Sequence, residues 1–134
     1  MGTLIPMELS KLVISEVREE QVIVLKELEG ERSFPIVIGL HEAVAIDRGV
    51  RGIKAARPMT HDLVRNVIVG VDATLTSVVI HDIRNSTFYA NLVLRRNGTE
   101  IRIDSRPSDA IALALQMKAP ILVDEAVLKE VGAS

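Results

Sequence analysis

Two Arg-Pro corners, Arg57-Pro58-Met59-Thr60-His61-Asp62 and Arg106-Pro107-Ser108-Asp109, concentrate the side chains best suited to chemistry on a phosphodiester. Cleavage of that bond without a thiol needs a group that activates water and positive charge against the developing phosphorane. His61 can serve as acid or base beside Asp62, and Arg57 and Arg106 can each fork two N–H groups onto a phosphate. Asp104 directly follows the alternating run Ile101-Arg102-Ile103, so Asp104, Arg106 and Asp109 form a carboxylate-guanidinium cluster. Asp62, Asp104, Asp109 and Glu42 supply hard oxygen ligands of the kind that hold Mg²⁺ or Mn²⁺, which would add charge and a bound water. Each corner also has a structural reading. Pro suits a first helical turn, Thr60 or Ser108 can cap free N–H groups, and Asp62 and Asp109 favour the positive end of a helix. The arginines can then be consumed in Arg57–Asp62 and Arg106–Asp104 or Arg106–Asp109 pairs.

These residues are positioned by a plan that runs twice along the chain. Lys11 to Val17 and Gln21 to Leu25 are β-branched runs that read as a hairpin, and Ser33 to Ile38 is a third strand. At Gly39 the apolar period changes from two to about 3.6. Leu40, Ala43, Val44 and Ile46 then mark a helix ending near Gly49 or Gly52. A second helix starts at Thr60, with Leu63, Val64 and Val67 expected inward, and stops before Gly70. Thr76 to Ile83 and Thr87 to Leu94 are strands, Asn97-Gly98 is a tight hairpin turn, and Glu100 to Ile103 returns. A helix from Ser108 to Met117 follows, then a short strand Ile121 to Val123 and a last helix capped by Asp124. Leu12-Val13-Ile14 matches Val78-Val79-Ile80, and Glu42-Ala43-Val44-Ala45-Ile46 matches Asp109-Ala110-Ile111-Ala112-Leu113. The expected fold is therefore α+β, with mixed but mainly antiparallel sheets from two pseudo-repeated three-strand-plus-helix units and extra helices. Such a repeat puts Glu42 and Asp109 at related helix starts, facing a shared cleft.

A chain of 134 residues fits one domain that buries about two-thirds of its extended surface. With no cysteine there is no disulfide, thiol nucleophile or thiolate metal site. Only Phe34, Phe88 and Tyr89 are aromatic, too few for a base-stacking platform. No signal peptide or transmembrane stretch is legible, so a soluble cytoplasmic protein without a membrane partner is expected. The net charge of −2 hides a division: residues 7–31 are rich in Glu, whereas 48–69 carry Arg48, Arg51, Lys54, Arg57 and Arg65 against Asp62 alone. Folding could join that stretch to Arg95, Arg96, Arg102 and Arg106 as one basic face. Phosphate-loop, dinucleotide, zincin and serine-hydrolase motifs are all missing.

Pro35-Ile36-Val37-Ile38-Gly39, Glu42-Ala43-Val44-Ala45-Ile46, Arg57-Pro58-Met59-Thr60-His61-Asp62-Leu63, Thr87-Phe88-Tyr89-Ala90 and Asp104-Ser105-Arg106-Pro107-Ser108-Asp109-Ala110 occur in an order and spacing that resembles the bifunctional nuclease domain family, over about residues 7–132. The resemblance implies a single small α+β domain with nuclease activity on both RNA and DNA, hence a nucleic-acid partner. Within 1–134 no C-terminal helical-hairpin module of the kind found in some larger members is expected. The resemblance carries over the positions Glu42, Arg57, His61, Asp62, Asp104, Arg106 and Asp109 without assigning their roles. The combined reading is a homo-oligomeric nuclease-type domain, a dimer among the expected forms. Asp62, Asp104 and Asp109 lie near a divalent cation with Glu42 as a further ligand, His61 acts as acid or base, and Arg57 and Arg106 meet the phosphate. The alternative is a non-catalytic module whose polar corners stabilise the fold or hold an anion or a protein partner.

Overall fold

Both meanders outlined by the alternating runs are formed, and they share one sheet. The computed structural model describes residues 2–15 and 17–134; Met1 and the part of the expected first strand at Glu16 lie outside the described residues. The order is β1 (Leu4–Val13), β2 (Glu20–Glu27), β3 (Ser33–Gly39), α1 (Leu40–Arg51), α2 (Thr60–Gly70), β4 (Thr74–Arg84), β5 (Thr87–Arg96), β6 (Thr99–Ser105), α3 (Pro107–Met117), β7 (Ile121–Asp124) and α4 (Glu125–Glu130). The seven strands line up as β3-β2-β1-β7-β4-β5-β6. Every pairing is antiparallel except β4 with β7. The fold is α+β, with the two three-strand units on either side of β7, and one continuous sheet carries both. Among the described residues no helix is long and apolar enough to cross a membrane.

Period-two alternation drives one sheet face into the core. Ile23 and Leu25 of β2, Phe34, Ile36 and Ile38 of β3, and Val78 and Ile80 of β4 are buried there together with Ile111 and Leu113 of α3. A flat sheet would set β3 about 24 Å from β5, five spacings away. The rings of Phe34 and Phe88 nevertheless meet with centroids 5.7 Å apart. The sheet therefore curls around its apolar face, and α1 and α3 lie side by side against it.

Two boundaries depart from the expected ones for physical reasons. The first strand was expected over Lys11 to Val17 but ends at Val13, because the buried Gln21 side chain closes the following loop. Its Oε1 accepts the Ser15 N–H and its Nε2 donates to the Arg18 carbonyl at 2.8 Å. The same strand starts at Leu4, since Leu4 to Met7 pair with Asp124 to Ile121 of β7. At the other meander, Asn97 and Gly98 take φ of 50° and 75°, the left-handed pair that a two-residue turn between twisted strands requires.

The helix α2 is rotated relative to the expected orientation. Ile68 is its buried residue at 4 % exposure, while Leu63 and Val67 stand 57 % and 55 % exposed. His61, Val64 and Ile68 share a face at i, i+3 and i+7, and His61 is bonded to α3, so the polar anchor selects which apolar residues turn inward. Urea denaturation should therefore find Ile68→Ala destabilising by about 2–5 kcal/mol and Leu63→Ala by no more than about 0.5 kcal/mol. The reverse ranking would contradict this orientation.

Candidate active site

Three helices begin at one place, and each carries an acid at its third residue. Glu42 is third in α1, Asp62 in α2 and Asp109 in α3. Unpaired N–H groups and the macrodipole make each helix start electropositive, which favours carboxylates and attracts anions. None of the three starts has a side-chain N-cap. Thr60 and Ser108, expected as caps, lie inside their helices, and Pro107 occupies the first turn of α3, where no donor is lost. At α2 the capping contact comes from within the helix, with the Met59 N–H donating to Asp62 Oδ2 at 2.8 Å.

Arg106 joins the helix starts of the two repeated units. Its Nε donates to Asp109 Oδ2 at 2.9 Å, its Nη2 to Asp109 Oδ1 at 3.3 Å, and its Nη1 to Glu42 Oε1 at 3.1 Å. A guanidinium has five N–H donors. Three are used here, which leaves two for a ligand, and the side chain is 65 % exposed. His61 reaches across from α2, its Nε2 lying 2.9 Å from Asp109 Oδ1. The hydrogen bond from His61, reinforced by Arg106, holds the Asp109 carboxyl below its ordinary range against the opposing effect of burial. An ionised Asp109 can only accept, so His61 Nε2 carries the proton and in the neutral ring Nδ1 keeps a free lone pair. Asp109 correspondingly raises the Arg106 pKa.

These groups line a cleft of about 1280 Å³ between α1, the 52–59 loop, α2 and α3. Besides His41 and His61, its ionisable lining comprises Arg48, Lys54, Arg65, Arg106 and Lys118 against Glu42, Asp62 and Asp109. That is five cations against three anions, a locally positive site in a chain of net charge −2. No Phe, Tyr or Trp lines it, while Leu40, Val44 and Leu115 give it an apolar floor.

Of the residues singled out in the sequence, Glu42, His61, Asp62, Arg106 and Asp109 come together in this cleft. Arg57 is exposed in the loop before α2 and is not among the lining residues. Asp104 is exposed on β6 opposite Asn91, also outside the lining. The expected single basic face is divided, because Arg95 and Arg96 flank the turn at the far end of β6, about 20 Å of strand away from Arg106. The ligand set proposed for Mg²⁺ or Mn²⁺ does not converge. Among the described residues no three His, Asp or Glu side chains form a metal-binding group. Both Asp62 oxygens are engaged, by Met59 N–H and by Gln116 Nε2 at 2.6 Å, and the Met59 N–H above all holds its carboxyl below the ordinary range. Asp62, Asp104, Asp109 and Glu42 thus do not fit one shared ion, and no step below runs through a metal. Gln116 and Lys118 escaped the sequence reading. Gln116 lies 54 residues from its partner, and only the packing of α2 on α3 brings them together.

The bifunctional nuclease domain model matches residues 23–134. A Mycobacterium tuberculosis protein described as uncharacterized is 41 % identical over 119 residues, covering 89 % of this chain and 71 % of that protein. Bifunctional nuclease 2 of Oryza sativa subsp. japonica is 32 % identical over 114 residues, 82 % of this chain and 35 % of its own length. Bifunctional nuclease 1 of Oryza sativa subsp. indica is 28 % identical over 109 residues, 78 % of this chain and 33 % of its own. The chain thus spans about a third of each rice protein. With its matched region running from the second strand through all three helix starts of the cleft, this chain belongs to the bifunctional nuclease domain family.

Proposed function

We propose that the cleft at the three helix starts hydrolyses phosphodiester bonds of single-stranded RNA and DNA. The observation that carries this reading is the His61–Asp109 pair set directly against Arg106 in a locally positive cleft. Asp109 orients the imidazole and stabilises it when it is charged, the role a carboxylate plays in an acid–base dyad. His61 takes a proton from water through the ring nitrogen not bonded to Asp109, the hydroxide attacks phosphorus as the P–O bond to the leaving sugar oxygen breaks, and that oxygen takes up a proton from solvent while the imidazolium returns its own to water. Arg106 offers its remaining N–H donors to the non-bridging oxygens as charge builds there. Arg48, Lys54, Arg65 and Lys118 attract the backbone on either side, which is sequence-independent and salt-sensitive. The family membership and the rice relatives named bifunctional nucleases support the same substrate class. A cleft lined by cations that meet the phosphate backbone suits a reaction that does not discriminate between bases.

A second reading, a binding module without turnover, is favoured by the internal contacts of Arg106 with Asp109 and Glu42 and of Asp62 with Met59 and Gln116, which commit three Arg106 donors and both Asp62 oxygens to the fold. Purified protein assayed on short single-stranded RNA and DNA, in Mg²⁺, in Mn²⁺ and in EDTA, separates the two. In whichever condition supports cleavage, His61→Ala should reduce it by about 10²–10⁴-fold and Arg106→Ala by about 10²–10³-fold, with thermal melting showing that each variant is folded. Wild-type rates in the His61 variant would refute the dyad. Retention of oligonucleotide by native mass spectrometry with no cleavage in any condition would establish the second reading.

The depressed Asp109 carboxyl also gives a stability signature. The folded-state pKa lies below the unfolded value of about 3.9. The stabilisation is therefore fully present above that value and is lost as pH falls through the folded one. Urea denaturation should show wild type more stable than Asp109→Asn at pH 7, with the gap closing as the pH is taken down through the carboxylate range. A gap independent of pH would contradict an ionised Asp109.

A further inference from the structure

The run Thr87-Phe88-Tyr89-Ala90, singled out in the sequence, contributes nothing to the cleft lining, yet the strand register carries it to the rim. Ala90 pairs with Ser105, the residue before Arg106. Tyr89 therefore stands at the next rung, across from Arg106, whose backbone is still extended at φ −69° and ψ 147°. Ala90 and Leu92 are buried and Phe88 meets Phe34 on the core side. Alternation thus turns Tyr89 to the outer face, and Arg106 starts from that same face. Residues opposed in this way have Cβ atoms about 5 Å apart, comparable to the span from a phosphate to the base on its own sugar. We propose that Tyr89 stacks the base of the nucleotide whose phosphate Arg106 holds, a single base-stacking position at the rim of the cleft. The inference rests on the reading of the cleft as a site for single-stranded RNA and DNA.

The ring already serves as a stacking surface. The Arg84 guanidinium carbon lies over it, 4.9 Å from the centroid. Arg84 is 64 % exposed and is tied to Asp82 at 2.6 Å. An exposed cation–π contact and a surface ion pair are each worth less than a base stacked on an aromatic ring, so a base can take the place of the guanidinium. Arg84 then keeps its charge beside the strand, while Asp104, the preceding outward residue of β6, repels a phosphate. The strand is directed from Arg106 across Tyr89 toward the β4–β5 turn and not along β6. One ring holds one base, which agrees with three aromatic residues being too few for a run of stacked bases. Because every base has a π-face, the contact adds affinity without choosing a sequence.

Tyr89 is the chain's one tyrosine and there is no tryptophan, so fluorescence excited beyond the phenylalanine band reports this ring alone. The probes are a short oligothymidylate and an abasic strand of the same length and charge, with N-acetyltyrosinamide correcting for absorption by the strand. Oligothymidylate should quench Tyr89 saturably, and the abasic strand should bind about tenfold more weakly without quenching. Tyr89→Ala should weaken oligothymidylate binding by about tenfold and leave the abasic strand unaffected. Tyr89→Phe, which keeps the ring, should bind both strands as wild type does. That pattern in a chain that cleaves neither RNA nor DNA would uphold the stacking and remove the hydrolysis. Binding of oligothymidylate with Tyr89 emission unchanged would overturn the stacking and leave the cleft reading in place, as would equal affinity for the two strands or a Tyr89→Ala chain that binds like wild type. If neither strand binds, both readings fall.

Discussion

Arg106 stands where the two repeated units meet, with Asp109 of its own helix on one side and Glu42 of the other unit on the other. Its contacts are too exposed to hold the fold together, since surface ion pairs of this kind contribute about 0.2–1 kcal/mol each. Stability comes instead from beneath, where Ala110, Ile111, Ala112, Leu113 and Ala114 of α3 and Ala43 and Ile46 of α1 are buried against the curled sheet. What Arg106 decides is direction. It holds both carboxylates in place, and the Asp109 it grips is the one that orients His61. Loss of this one guanidinium would leave the packing of α1 on α3 intact and leave two acids at adjoining helix starts without their counter-charge.

A chain that is acidic overall can still present a cationic site, because the duplication brings several helix starts together. Each contributes a partial positive charge from its unpaired N–H groups, and basic residues from α1, the following loop, α2 and the end of α3 surround them. The three acids at the third helical positions moderate this field without cancelling it. All three line the cleft, but both Asp62 oxygens are taken up by the Met59 N–H and by Gln116 Nε2 of α3, whereas Asp109 and Glu42 meet the Arg106 guanidinium. The same residue type at the same helical position thus does different work, according to what lies opposite.

Much of the architecture was legible because it rests on local signals. The alternation in β2, β3 and β5 marked their cores, Asn97-Gly98 marked its turn, and Gly52 ends α1 in the left-handed region, φ 67°. The correspondence of Glu42-Ala43-Val44-Ala45-Ile46 with Asp109-Ala110-Ile111-Ala112-Leu113 anticipated two related helix starts. What failed depended on distant partners. The start of β1 is set by β7, more than a hundred residues away, and the rotation of α2 is set by a bond from His61 to a residue 48 positions on. Asp62 and Asp109 at helix starts and Asp104 at a strand end read from sequence as oxygen ligands of one ion. Strand geometry sends Asp104 to the exposed face of β6, and the helix start claims Asp62. Adjacency in sequence made His61-Asp62 look like a pair, but the partner of His61 is Asp109.

The central claim is that the three helix starts form the surface that receives the nucleic-acid backbone. Backbone amide shifts of the ¹⁵N-labelled chain, followed while a short single-stranded oligonucleotide is titrated in, test it most directly. The account predicts that the largest changes fall on residues 40–45, 59–65 and 106–112 and vanish when Arg106→Ala is titrated in the same way. Changes concentrated on the β5–β6 turn around Arg95 and Arg96, with the helix starts unmoved, would contradict it.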